Sequence, residues 1–308
     1  MSDPAAPAPF SREPLRTDRG IPVFCESDSY VDNYAKIASD HVESMRPGAD
    51  NPFIPDELWK TLDQSTRALI EKHVQAGQSI LDVGVGLGRV LAPLQHLTRH
   101  GVDISLDYLE HAKRAGINVA FARVESLPYP AAAFDAVVTC DVLEHVFDLH
   151  QACREILRVL KPGGLLFVRV PNKEDLEVYL RADLPYEFIH LRSFDLNGLR
   201  LLMQKVFKVE FVEGGEVGHH LQGVPRLRLR LLPEPTRTMA AKLARQHWLK
   251  CFGVHRAFSV SEQVIEHWLV RLKQRAPELF DKLAPLLILG IEFNAVFRKP
   301  SRAGSGLP

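Results

Sequence analysis

Four cysteines in 308 residues (Cys25, Cys140, Cys153, Cys251) stand far apart, with no CxxC pair among them. Their scarcity and spacing exclude a disulfide scaffold, a zinc knuckle and a dithiol redox couple, and fit a reducing compartment. Net charge is also missing: 38 Lys and Arg balance 38 Asp and Glu, so the surface as a whole has no excess with which to grip nucleic acid. The longest strongly apolar run, residues 286–291, is far below the ~20 residues of a bilayer span. The opening MSDPAAPAPF has neither the basic start nor the apolar stretch of a signal peptide. A cytoplasmic protein without a transmembrane segment is the expectation. What remains is ordinary globular material, 46% hydrophobic and 25% charged, enough for one large or two modest domains at ~150 residues each.

Residues 1–22 hold five prolines and little apolar period, and read as a flexible tail. Residues 23–78 read as an N-terminal helical cap. Tyr30, Tyr34, Ile37, Ala38 and Val42 share helical spacing, and Leu58, Trp59, Leu62, Leu69 and Ile70 mark a second helix before Gly77. The pattern then changes at residues 79–213. A β-branched run at 79–86 that breaks into glycines and strands at 100–104, 119–122, 134–140, 165–170 and 208–213 alternate with helices at 89–97, 106–116, 150–160 and 194–207. Such alternation means right-handed crossovers and a mostly parallel sheet, an α/β fold. Residues 214–288 read as a mainly helical insertion, 289–300 as a final strand and 301–308 as a tail.

The strongest local signal is Asp82-Val83-Gly84-Val85-Gly86-Leu87-Gly88, read as a strand turning into a helix whose N-terminal end is positive. Arg89 stands where a dinucleotide fingerprint needs its third glycine. Asp82, ahead of the turn, suits an ammonium group and is badly placed beside a pyrophosphate. Asp103 closes the next strand, where a carboxylate can take both hydroxyls of a ribose. Together these residues describe a pocket for a nucleoside that carries a positive group.

The segments ILDVGVGLGRVL (80–91), GVDIS (101–105), VESLPYPAAAFDAVVTCDVLEHV (124–146) and LRVLKPGGLLFVRVPN (157–172) resemble class I S-adenosylmethionine-dependent methyltransferases of the small-molecule type. The resemblance covers roughly residues 55–213. It implies a Rossmann-like sheet of seven strands, mostly parallel with the last antiparallel, and S-adenosylmethionine as cofactor. It also implies that Gly84, Gly86 and Gly88 floor the methionine part of the cofactor, that Asp82 holds its amino group and Asp103 its ribose. Ile104 would then pack on the adenine, and Val124 and Glu125 would line it. Arg123 departs from the family's usual Asp before that pair, and an arginine cannot accept from the adenine amino group.

Ligands of such sheets bind beyond the carboxyl ends of the strands, so residues after Cys140 face sulfonium and acceptor; Asp141 is placed with the cofactor set. Methyl transfer needs alignment of the nucleophile, and a hydroxyl nucleophile also needs a base. His145 and His190 are the candidates, each set against the plainer reading of a structural histidine. The Asp141, Glu144, His145 spacing also resembles the acidic-x-x-Glu-His patch of quinone-precursor O-methyltransferases, which makes a metal there the alternative to none.

From 219 to 250 there are seven Lys and Arg against Glu234 alone, and VPRLRLRLL alternates Arg with Leu. Such a face suits an anionic lipid- or sugar-linked acceptor or a membrane surface, with a solvated face as the plain alternative. Sparse aromatics and the missing Asn/Asp-Pro-Pro-Tyr/Phe motif argue against nucleic acid. The expected function is methyl transfer to a hydroxyl of a small-molecule, lipid- or sugar-linked acceptor. The competing readings are an RNA-directed methyltransferase and a binding module without catalysis.

Overall fold

Strand β6 (Phe134–Cys140) is buried along most of its length, as expected of a strand covered by helices on both faces. It pairs in parallel with β3 (Ser79–Val83) on one side and with β7 (Leu160–Pro171) on the other. The computed structural model describes residues 10–45, 55–219 and 267–301. Beyond β3 lie β4 (Thr98–Asp103) and then β5 (Asn118–Phe121), both parallel to it. Strand β9 (Glu292–Arg298) runs antiparallel to β7 over seven residue pairs, as the family resemblance implies for the last strand. Strand β8 (Glu210–Val217) closes that edge.

The sheet has nine strands rather than seven, in the order β1-β2-β5-β4-β3-β6-β7-β9-β8. The expected flexible tail over 1–22 is overturned for its described residues. Arg16–Asp18 (β1) and Ile21–Val23 (β2) form an antiparallel hairpin, and Val23 joins β5 at Phe121. Arg19 (φ 50°) and Gly20 (φ 67°) make the two-residue turn, whose twist matches paired strands. Ile21 and Val23 bury completely, and that burial offsets the ordering cost of a short, proline-bearing segment.

Five helices cover this sheet. They are α1 (Ser29–Ser44), α2 (Asp56–His73), α3 (Leu106–Arg114), α4 (Leu149–Val159) and α5 (Leu196–Lys205). Asp28, Ser105, Asp148 and Asp195 cap α1, α3, α4 and α5 by accepting from N–H groups of the first turn. The expected helix over 89–97 does not form. Pro93 has no N–H to give a helical bond and disfavours a helix here, and the segment is a run of turns held by Ala92 N–H to Gly88 O (2.8 Å) and Leu94 N–H to Leu91 O (3.0 Å). The glycine turn therefore has no helix dipole behind it.

The chain runs from β3 outward to β4 and β5, then returns to β6 and β7 on the other side. The switch point lies at the carboxyl ends of β3 and β6, where Asp82 and Cys140 stand. A second unit spans Glu216–Ile291. In its described part Leu269, Phe280, Ala284 and Ile288 form a small core under the helix Pro277–Leu287. The basic run 220–250 lies outside the described residues. No helix among the described residues is long and apolar enough to cross a membrane.

Candidate active site

Asp82 is 3% exposed, and its Oδ1 is buried without a hydrogen-bond partner. Burial, and secondarily the charge of Asp103, pushes its carboxyl well above the usual range. A buried acceptor left unmatched is costly, and a cationic ligand group would repair it. Gly84, next along the turn, has φ +77°, and a Cβ there would lie 2.2 Å from Val142 Cγ2. Gly86 (φ +50°) instead faces open space, with nothing within 4 Å of the point a Cβ would occupy, so this is where a ligand can lie on bare backbone. Gly88 has a packing reason, since a Cβ would meet Ile117 and Ala112.

Asp103 ends β4, and its two oxygens accept from Gly86 N–H (2.9 Å) and Ser105 N–H (3.0 Å). Burial lifts its pKa to about 6, opposed by these donors. Each carboxylate oxygen keeps a further lone pair for a ribose hydroxyl. Ile104 is half-buried against the core, and Val124 and Glu125 sit in a single 3-10 turn, Val124–Ser126. An orphaned acceptor, an open glycine and a carboxylate with spare lone pairs fit the ammonium, methionine chain and ribose of S-adenosylmethionine.

Arg123, which departs from the family's usual Asp, has a different task. It pairs with Asp28, the N-cap of α1, and its guanidinium lies 4.9 Å from the Tyr30 ring centroid. This ties the start of α1 to the 124–126 turn. Further along α1, Asn33 brackets the backbone of 187–188, and Tyr34 Oη donates to Ile189 O at 3.2 Å. Tyr30, Phe147 and Phe188 close an aromatic wall, with ring centroids 4.5 Å (Tyr30–Phe147) and 5.1 Å (Phe147–Phe188) apart.

The two candidate histidines, 45 positions apart in sequence, meet here, with ring centroids 4.6 Å apart. Arg192 brings them together: Nη1 donates to Leu143 O (2.8 Å) and to Val146 O, and Nη2 to Phe147 O (3.2 Å). Leu191 N–H donates to Glu144 O (2.8 Å), which completes the seam between 143–147 and 188–192. His145 Nδ1 lies 2.9 Å from both Ile189 O and Tyr34 Oη. Because a carbonyl only accepts, Nδ1 carries the proton and Nε2 keeps its lone pair. Burial, then His190, lowers the pKa of His145 to about 4, so the ring is neutral at physiological pH. His190 Nδ1 pairs with Glu174, and Tyr179 Oη lies 3.3 Å from the same nitrogen.

Asp141 does not join this group. Its φ is +55° and its Oδ2 lies 2.8 Å from Arg169 Nη2. Arg169, 1% exposed in the middle of β7, also meets Asp63 of α2 (3.2 Å) and Glu292 of β9 (2.7 Å). Asp63 in turn holds Arg89 (3.1 Å), the residue that replaces the dinucleotide glycine. The expected Asp141, Glu144, His145 set is therefore rearranged: the ligand-bearing atoms that converge within 4.8 Å belong to Glu144, His145 and His190. Sequence reasoning missed Arg169, Glu292, Arg192 and Glu174. A lone arginine inside LLFVRV was the available signal, since a strand buried on both faces carries a charge only with partners.

The family model described as a methyltransferase domain matches residues 81–168. A probable S-adenosylmethionine-dependent methyltransferase from Mycolicibacterium smegmatis is 31% identical over 145 residues, which cover 45% of this chain and 55% of that protein. The mitochondrial ubiquinone biosynthesis O-methyltransferase of Homo sapiens is 36% identical over 145 residues, covering 42% of this chain and 37% of its own length. The chain thus spans about half or less of the curated relatives it matches. A chain of the solved complex containing the Haloferax volcanii Trm112 methyltransferase activator superposes with a TM-score of 0.52 at 15% identity, over 90% of this chain and all of that one, a likeness of fold alone. The matched segment runs from the strand of Asp82 through β6 into β7, so residues 81–168 carry a methyltransferase domain of the S-adenosylmethionine-dependent type.

Proposed function

We propose that this protein transfers a methyl group to a hydroxyl of a small-molecule, lipid-linked or sugar-linked acceptor. The observation that carries the reading is Asp82, a buried carboxylate with an unmatched oxygen beneath an open glycine turn. S-adenosylmethionine, when bound, supplies a methyl group already activated by its sulfonium. The protein's own work is then alignment and proton removal. Asp82 would hold the ammonium, Asp103 the ribose, and the 124–126 turn the adenine. Tyr30, Phe147 and Phe188 would wall the acceptor and exclude water. The acceptor hydroxyl would meet the cluster of His145, His190 and Glu144 and lose its proton there, with Tyr34 and Ile189 holding the His145 ring in the tautomer that leaves Nε2 bare. Similarity to a ubiquinone biosynthesis O-methyltransferase favours oxygen as the acceptor atom.

The test is transfer of labelled methyl from S-adenosylmethionine to a panel of phenols, glycans and lipid-linked alcohols. The reading predicts labelled products from acceptors with a free hydroxyl and none from their O-blocked analogues. Transfer to nitrogen or carbon alone would contradict it.

A further inference from the structure

Glu144 is 1% exposed, and neither of its carboxylate oxygens has a hydrogen-bond partner. Both oxygens being unmatched at such depth requires either a bound proton or a cation. Its Oε1 lies 3.7 Å from His145 Nε2, and donor atoms of Glu144, His145 and His190 all lie within 4.8 Å of one another. His145 faces Glu144 with Nε2 and is held at Nδ1, and on His190 the engaged nitrogen is Nδ1, which leaves Nε2 to serve as a ligand. His145 Nδ1 donates to Ile189 O at 2.9 Å, and His190 Nδ1 is engaged by Glu174. A backbone carbonyl behind one imidazole and a carboxylate behind the other is the arrangement that orients metal-ligating histidines and raises their basicity.

We propose that Glu144, His145 and His190 bind one Zn²⁺ ion. Two imidazoles and one carboxylate form a borderline donor set, suited to zinc and poorly suited to the oxygen-seeking Mg²⁺. Three protein ligands leave a fourth position open, as catalytic zinc sites do. In a tetrahedral site the ligand atoms stand about 3.3 Å apart, given zinc–nitrogen distances of about 2.0 Å. The 3.7 Å contact therefore needs only a small side-chain adjustment. The site also differs from the acidic-x-x-Glu-His spacing. Asp141 is held by Arg169, and the third ligand comes from the segment that Arg192 docks.

Use of the ion rests on the methyl-transfer reading: with His145 Nε2 serving as ligand rather than base, an acceptor hydroxyl at the open position would lose its proton to solvent more easily beside the cation. Binding itself does not depend on that reading, so it is tested without cofactor or acceptor. Chelator-stripped full-length protein is titrated with Zn²⁺ against a chromophoric competitor, and separately loaded with Co²⁺ for visible spectroscopy. Wild type should take up one equivalent, unaffected by millimolar Mg²⁺. Its Co²⁺ form should show the d–d bands of a nitrogen-ligated, low-coordinate site. Glu144→Gln and His190→Asn should each weaken binding by at least ~100-fold and erase those bands. Thermal melts of both variants establish that they are folded. The assignment is overturned if wild type binds no Zn²⁺ at micromolar concentration, if folded His190→Asn keeps wild-type affinity, or if Mg²⁺ displaces the ion. Loss of cofactor binding with zinc binding intact would remove the methyl-transfer reading and leave this one standing.

Discussion

Arg169 Nη2 lies 2.8 Å from Asp141 Oδ2, so a carboxylate at the mouth of the site is anchored by an arginine buried in the sheet. The same guanidinium reaches Asp63 and Glu292, and so links α2, the turn after β6, and the last strand. Desolvation makes such a cluster a poor source of net stability, but its parts depend on one another.

Removing the arginine leaves buried Glu292 without its guanidinium, buried Asp63 with Arg89 alone, and half-buried Asp141 without its ion pair. Arg169→Met should destabilise the protein by about 3–5 kcal/mol in chemical denaturation. A loss below ~1 kcal/mol would mean that these acids are solvated or paired elsewhere.

Glu292 should give this protein part of its pH dependence. Burial lifts its pKa from 4.5 to about 8, with Arg169 opposing the rise. A group with a raised folded pKa contributes fully below its unfolded value and loses that contribution as pH rises through the folded one. Wild-type stability should therefore fall between pH 4.5 and about 8, and Glu292→Gln should flatten that fall. Thermal melts across this range measure the difference, on the order of 1–2 kcal/mol after allowance for the neighbouring arginine. Equal slopes in both proteins would remove Glu292 from the account.

The glycine turn separates folding from binding. Gly86→Ala puts a methyl group into open space at φ +50°, so its structural cost is backbone strain alone, about 1–2 kcal/mol. Binding of S-adenosylhomocysteine should nonetheless be abolished if, as proposed, the methionine part of the ligand lies on this bare backbone. Calorimetry on the folded variant checks both parts.

The parallel strands were legible because β3 and β6 are short, β-branched and apolar, and the spacing from Asp82 to Asp103 marked the pocket. Three things were not. The proline count before residue 22 concealed a hairpin held by two inward side chains, Ile21 and Val23. The apolar period over 89–97 suggested a helix where the chain instead makes successive turns, with Pro93 in their midst disfavouring helical bonding. The partnership of His145 with His190 depends on Arg192 bonding carbonyls some 45 residues away, a long-range contact that local pattern does not encode. Arg169 likewise became intelligible only with Asp63 and Glu292 beside it.

The central claim, that Asp82 is kept unmatched for a cationic nucleoside ligand, is tested most directly by titrating S-adenosylhomocysteine into wild type and Asp82→Asn by calorimetry. Wild type should bind at micromolar concentration. Asp82→Asn should bind at least ~30-fold more weakly, a loss of about 2 kcal/mol. The ligand-free variant should be no less stable than wild type, because it no longer buries a lone carboxylate. Undiminished binding by folded Asp82→Asn, or no binding by wild type, would contradict the account.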